Sequence, residues 1–423
     1  MGASDTAVRD AHIDFVYDVV CPYAYLASTQ IAEAAAQAGL TVRWRPILLG
    51  GLFREIGAPN DPNEAMAAPK AALNRLDMQR WACLYDVPLR MPAQHPRRTV
   101  NAMRLCTAAP ASVVADVSHA LFAAYWEQGQ DVASPSVLVA IARAHGVDPS
   151  LIEAPETKRA LREATARAHH EGMFGVPSFG LGERFWWGQD RLDLALASTG
   201  APGLVDRGPQ SLRAMPAAAA PPRVSFFHDF ASPFSYLAAA AIDAVAARHS
   251  VHVEWVPILL GALFRAVGTP DVPLFEMSKP RQAYVRQDLV DWAAARGVPY
   301  AFPSHFPMRT VLPLRVATHA PDTTAAIYRA AWADDRRIDD ADGLMAVLSD
   351  AGFDPVPMLA AAQTSTVKDA LRANTARAQK LGACGVPTVV VQDDAHPEPL
   401  VLWGQDRLGM LDAVLSGWWP ASG

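Results

Sequence analysis

The stretch "DVVCPYAYLA", residues 18–27, returns as "DFASPFSYLA", residues 229–238. Each sets a proline after a small nucleophile-type residue, then an aromatic residue, a small residue and a tyrosine. Cys21 in the first is Ser232 in the second, 211 residues on. The same offset aligns "RPILLGGLFREIG" (45–57) with "VPILLGALFRAVG" (256–268), which share nine of thirteen residues. Unrelated segments of that length share about one.

The offset holds through Asp77/Asp288, Trp81/Trp292, Pro88/Pro299, Pro96/Pro307, Arg98/Arg309 and Arg104/Arg315, then drifts by small insertions. Trp126 pairs with Trp332, "GVP" at 175–177 with "GVP" at 385–387, and "WGQDRL" at 187–192 with "WGQDRL" at 403–408. Solenoid repeats are about 20–50 residues long, so this much longer period is a tandem domain duplication. The expected domains are residues 1–200 and 222–423. They are joined by a Pro/Ala/Gly-rich linker at 201–221 that lacks apolar periodicity.

Composition narrows the classes. Of 423 residues, 51% are hydrophobic and 19% charged, which is globular material. The net charge of −6 is spread without a basic tract, which argues against a nucleic-acid partner. The longest apolar runs are short and Ala-rich, so no membrane partner is expected. "MGASDTAVRDAHIDF" has no apolar core of a secretory signal. The four cysteines (Cys21, Cys83, Cys106, Cys384) do not form a disulfide framework in a chain this long. The expectation is a cytoplasmic protein with reduced thiols. No CxxC, HExxH or Cys/His cluster occurs, and no metal site is expected.

Each copy opens on a strand, "HIDFVYDV" (12–19) or "RVSFFHDF" (223–230), rich in β-branched and aromatic residues. The Cys-Pro or Ser-Pro turn then starts a helix, where proline's missing N–H is harmless. "TVRWRPI" or "VHVEWVPI" gives a second strand, parallel to the first across the helix. A long helical stretch follows. Two further strands ("GVPSFGL" and "RFWWG"; "GVPTVVV" and "PLVLWG") and a helix from "QDRL" close each copy. The expected fold class is α/β: two tandem thioredoxin-like domains, each with a large helical insertion.

Three features carry chemistry. The strand delivers Cys21 or Ser232 to a helix N-terminus, where free N–H groups and the dipole favour an anion such as a thiolate. The bland reading of Ser232 is a helix cap. Pro177 and Pro387, after Val176 and Val386, are candidates for cis bonds, although only about 5–6% of X-Pro bonds are cis. A cis bond there leaves the valine backbone open to an extended peptide ligand. Asp190 and Asp406 cap a helix in the plain reading, and the adjacent Arg191 and Arg407 suit a carboxylate. Together they suit a ligand bearing both an ammonium and carboxylates.

"SPFSYLA", "GVPT" and "WGQDRL", with "QDLVDWAAARGVP" and "FPMRTVLPLR" between them, resemble the 2-hydroxychromene-2-carboxylate isomerase family. That family is related to kappa-class glutathione transferases and to DsbA-like proteins of the thioredoxin fold. The resemblance spans nearly all of each copy. It implies glutathione as cofactor, with the Ser232 hydroxyl bonding its sulfur. It also implies that Val386 pairs with the cysteinyl unit and that Asp406 and Arg407 lie near the γ-glutamyl end. Cys21, Val176, Pro177, Asp190 and Arg191 hold those places in the first copy. Departures exist: Lys70 is accompanied by Leu73 rather than Tyr, Tyr284 by Arg281 rather than Lys, and the family's Asn is Asn60 but Asp271 in the second copy. Ala24 stands where a DsbA-like protein has its second cysteine.

What the resemblance implies is a glutathione-dependent isomerase acting on an aromatic or polyketide-like carbonyl compound, by reversible thiolate addition. Such a role belongs to aromatic catabolism or secondary metabolism. Candidate substrate residues are Arg309, Arg315 and Tyr236, with Arg98 and Arg104 in the first copy; for the arginines, surface ion pairing is an equal reading. The alternatives are a kappa-like glutathione transferase and a monothiol oxidoreductase centred on Cys21. The partner is a small-molecule substrate, and the two copies suit an intramolecular pseudo-dimer, with a further homodimer compatible.

Overall fold

A computed structural model describes residues 11–59, 66–200 and 221–420. The linker read at 201–221 lies, apart from residue 221, outside the described residues, as does Asn60. Among the described residues, one compact unit draws on residues 11–59, 66, 78–200 and 420, the other on residues 67–77 and 221–419.

The first unit begins with β1 (His12–Tyr17), α1 (Pro22–Gln37), β2 (Thr41–Pro46) and α2 (Leu49–Ile56). The helix α3 (Ala68–Leu84) follows, its first part grouped with the other unit. Then come α4 (Val100–Ala108), α5 (Val114–Trp126), α6 (Pro135–Ala144) and α7 (Pro155–His170). β3 (Ser178–Leu181), β4 (Arg184–Trp187) and α8 (Leu192–Ala197) close it. The sheet order is β2-β1-β3-β4, with β1 parallel to β2 and antiparallel to β3.

The apolar run of β1 has a direct cause: it is a central strand, buried from Ile13 to Tyr17. The one charge in it, Asp14, is answered from β2. Burial works against its carboxylate, but Arg43 and Arg45 outweigh burial and hold its pKa below the usual value. α1 stops at Gln37, and Gly39 takes a left-handed φ of 72°.

The second unit repeats the plan with β5 (Arg223–His228), α9 (Pro233–Ala239), α10 (Ile242–Ala247), β6 (Val253–Pro257) and α11 (Leu260–Val267). Its insertion comprises α12 (Pro273–Glu276), α13 (Lys279–Ala295), α14 (Val311–His319), α15 (Thr324–Trp332), α16 (Ala341–Asp350), α17 (Pro355–Ala361) and α18 (Ser365–Lys380). β7 (Thr388–Asp393), β8 (His396–Trp403) and α19 (Leu408–Leu415) end it, with sheet order β6-β5-β7-β8. The helix after Pro233 breaks at Ala240–Ala241, and its Ala-rich composition gives no reason for the break. Leu73 of α3 packs into the core of this unit with Phe227, Ile258, Leu263 and Val386. No helix among the described residues is long and apolar enough to cross a membrane.

Candidate functional site

In both units, residues more than 150 positions apart meet at the start of the first helix. Cys21 is the cap residue of α1 and Ser232 that of α9, each with extended backbone and a proline directly after. The Ser232 hydroxyl donates to the Val386 carbonyl at 3.2 Å and accepts from the Ser235 N–H at 3.1 Å. Ser232 is thus a helix cap and a donor to the cis-proline segment at once. The Cys21 Sγ makes the same contact with the Val176 carbonyl, also 3.2 Å.

The valine–proline bonds, Val176–Pro177 and Val386–Pro387, are cis, as are His95–Pro96 and Phe306–Pro307. The Val176 and Val386 N–H groups have no hydrogen-bond partner among the described residues. The carbonyl of the cis proline receives the next motif: Gly188 N–H donates to Pro177 at 2.9 Å, and Gly404 N–H to Pro387 at 3.0 Å. A side chain at Gly404, where φ is 117°, would bring Cβ within 2.4 Å of an Asp406 oxygen. One at Gly385 would lie 2.9 Å from the Trp403 indole nitrogen. The glycines of both motifs let "GVP" and "WGQDRL" close on one another.

Arg407 does not stand open to a carboxylate ligand. It holds Asp77 through two bonds of 2.9 Å, and Asp406 at 2.9 Å. Arg191 likewise pairs with Asp190 at 3.0 Å. The Arg407 guanidinium thus sits between two carboxylates. Beside it, Gln405 gives its side-chain oxygen to Arg296, and its amide nitrogen is buried without a partner. Lys70 places its ammonium 5.2 Å from the Trp403 ring, and burial lowers its pKa.

The helix start favours a thiolate at Cys21, but burial wins. It pushes the thiol up to about 12, against bonds from the Ala24 and Tyr23 N–H groups that pull it down. Cys21 is therefore a neutral thiol near pH 7, because desolvation of the anion exceeds what two N–H groups return.

Asp18 and Asp229 went unread in the sequence and prove central. Asp229 accepts from the N–H groups of Ala231 (2.9 Å) and Leu260 (2.8 Å) and from the Thr310 hydroxyl (2.6 Å). It thereby ties the Ser232 turn to the starts of α11 and α14. Asp18 does the same with Val20, Leu49 and Thr99. Burial raises each to about 6, although the bonds they accept favour the anion. The readable signal was a carboxylate three residues before Cys21 and before Ser232, at the end of an apolar strand. Trp126 and Trp332 brace the same turns, donating to the Val19 and Phe230 carbonyls at 2.9 and 2.8 Å.

The substrate candidates fare differently. Tyr236 donates its hydroxyl to the Pro299 carbonyl at 2.5 Å. Arg104 is committed to Asn101 and Glu153, which matches the ion-pair reading. Arg98 and Arg309 are exposed, whereas the Arg315 Nε is buried without a partner. Among the described residues no contact joins Arg309 or Arg315 to Ser232 or Val386.

Each unit is thus a thioredoxin-like α/β domain that sets a cap residue against a cis-proline backbone. The sequence profile of the DSBA-like thioredoxin domain matches residues 12–198 and again 223–416. The chain belongs to the DSBA-like thioredoxin domain family, which it carries twice in tandem. It is 32% identical over 192 residues to a 2-hydroxychromene-2-carboxylate isomerase of Pseudomonas putida, covering 44% of this chain and 94% of that protein. It is 26% identical to glutathione S-transferase kappa 1 of Rattus norvegicus, covering 39% and 79%. A solved 2-hydroxychromene-2-carboxylate isomerase is 28% identical, covering 44% and 94%, with a TM-score of 0.41. These relatives are enzymes, and each covers less than half of this chain.

Proposed function

We propose that the second unit is a cytoplasmic, glutathione-dependent isomerase acting on an aromatic or polyketide-like carbonyl compound. The observation that carries this reading is the buried Ser232 hydroxyl, 3.2 Å from the Val386 carbonyl, beside a Val386 N–H without a partner. The donor set fits glutathione. Val386, before Pro387, offers an N–H and a carbonyl to a cysteinyl backbone. Asp406 and Asp77 around Arg407 offer carboxylate oxygens to the γ-glutamyl ammonium, and the Gln405 amide nitrogen, buried without a partner, offers a donor to its carboxylate.

Bound glutathione supplies a thiolate that adds reversibly to an electrophilic carbon. Ser232 turns its single proton from the Val386 carbonyl to the sulfur, and the α9 N-terminus adds its positive end. Ser232 acts as a hydrogen-bond donor and is not itself acylated. The isomerases and kappa-class transferase among the relatives support this chemistry class. In this reading residues 1–200 and 222–423 are two domains of one pseudo-dimer. Cys21, Val176, Pro177, Asp190 and Arg191 form a second glutathione position whose thiol is neutral. That neutrality, and Ala24 in place of a second cysteine, weigh against the Cys21 oxidoreductase alternative.

The test is calorimetric titration with glutathione, followed by turnover of 2-hydroxychromene-2-carboxylate with and without it. Binding with glutathione-dependent turnover that Ser232→Ala removes supports the reading. No binding heat overturns it.

A further inference from the structure

The "WGQDRL" motif is identical in the two copies, but the residue that grips it is not. The glutamine of each motif, Gln189 or Gln405, is buried and turns its side-chain oxygen to the residue that follows a long helix. That residue is Tyr85 after α3 in the first unit and Arg296 after α13 in the second, 211 positions on. Both helix ends are built alike. The Tyr85 N–H donates to the Trp81 carbonyl and the Arg296 N–H to the Trp292 carbonyl, each at 3.0 Å. The side chain then lies on that tryptophan: the Tyr85 ring centroid is 5.3 Å from that of Trp81, and the Arg296 guanidinium is 4.6 Å over Trp292.

The grip differs in kind. The Tyr85 hydroxyl donates to the Gln189 Oε1 at 2.9 Å, and with one proton it holds one oxygen. Arg296 spans two: Nη1 donates to the Gln405 Oε1 at 2.5 Å and Nη2 to the Gln405 backbone carbonyl at 2.7 Å. A forked guanidinium therefore fixes the side chain and the backbone of Gln405 together, whereas a hydroxyl fixes the side chain alone. Bonds from a charged donor are also about twice as strong as neutral ones. The charge is welcome at the end of α13, where the last carbonyls present the negative end of the helix dipole. What Arg296 holds is the short turn Gln405–Arg407, which carries Asp406 and Arg407. With the Gln405 oxygen taken, the amide nitrogen is turned the other way.

We infer that Arg296 is a positioning residue that makes the second unit the tighter of two unequal glutathione positions, by holding the Gln405 amide and the Asp406–Arg407 turn preformed for the γ-glutamyl end. A turn that is already ordered loses less freedom when a ligand arrives. The first unit, with Tyr85 in that place, holds its turn at one oxygen and must order more of it on binding. The inference rests on the glutathione reading for its ligand, whereas the rigidity of the turn belongs to the free protein.

Hydrogen exchange of the ligand-free full chain, read by mass spectrometry on peptides spanning 403–408 and 187–192, tests the clamp by itself. The 403–408 amides should exchange about tenfold more slowly, and Arg296→Tyr should bring them to the rate of 187–192. Calorimetric titration with glutathione under reductant tests the consequence. Wild type should show two sites about tenfold apart in affinity. Arg296→Tyr should weaken the tighter site about tenfold, and Arg296→Lys nearly as much, because lysine keeps the charge without the fork. Tyr85→Arg should tighten the weaker site, a gain that loss of a structural contact does not produce. Exchange at 403–408 that is indifferent to Arg296→Tyr overturns the inference whatever glutathione does. Two equal affinities, or a tight site that survives Arg296→Tyr, overturn it and leave the glutathione reading standing. No heat from glutathione in the wild type overturns that reading and, with it, the ligand assigned to the clamp.

Discussion

Replacing Ser232 with alanine perturbs stability and turnover by different amounts, and the two can be separated. The hydroxyl caps α9 through Ser235 and donates to Val386. Loss of a helix cap costs about 1 kcal/mol, and loss of a neutral hydrogen bond about 1 more. In a domain of this size that lowers the melting temperature by about 4–8 °C. The catalytic loss is larger if Ser232 serves as donor to the developing sulfur charge. Removing one preorganised donor lowers kcat by about 10²–10³-fold, or about 3–4 kcal/mol. The assay follows 2-hydroxychromene-2-carboxylate isomerisation by absorbance at saturating glutathione, with a thermal melt on the same sample. Turnover should fall at least a hundredfold in protein that is folded at the assay temperature. If Ser232→Ala binds glutathione and retains turnover within threefold, the hydroxyl is only a helix cap and the proposed chemistry is wrong.

Cys21→Ala should leave isomerisation unchanged, and iodoacetamide at pH 7.5 should label the exposed Cys83 well before the buried Cys21; preferential labelling of Cys21 would contradict the neutral thiol. Arg407→Ala should destabilise the protein by about 3 kcal/mol, because it removes the nearly buried guanidinium that bonds both Asp77 and Asp406. Asp77→Ala, which leaves Arg407 paired with Asp406, should cost less in urea unfolding, and the opposite order would refute this account. The Asp229 carboxyl, raised to about 6 in the fold from 3.8, binds its proton more tightly folded than unfolded. Its contribution to stability is therefore full below about pH 4 and lost as pH rises through about 6, on the order of 3 kcal/mol. The penalty of Asp229→Asn relative to wild type should shrink across that window, and a pH-independent difference would show that the carboxyl is not perturbed.

Much of the fold was legible because the chain carries its own comparison. Strands β1 and β5 read as apolar runs because a central strand is buried on both faces. The helix starts read from Pro22 and Pro233, since proline fixes the first helical turn and nothing later in it. Ser232 and Cys21, and the valine–proline and "WGQDRL" motifs, were legible as candidates because the same types recur in the same order in both copies. Three things were not legible. Asp18 and Asp229 looked like strand-end residues, because two of the three bonds each accepts come from segments much later in sequence. Arg407 read as a ligand donor, but Asp77 takes it from 330 residues away. The first part of α3 reads as part of the first copy, yet Leu73 and Asp77 pack with the second unit.

By itself the sequence determined the local grammar: which runs form strands, where helices begin, and that one design was written twice. Those properties depend on side-chain period, φ restriction and capping, all of which act over a few residues. The tertiary structure alone decided which groups carry charge and which are spoken for. A thiol at a helix start is a good anion until burial removes water from it, and an arginine is a good ligand site until a distant carboxylate reaches it. Both outcomes depend on solvent exposure and long-range proximity, which no short stretch of residues contains.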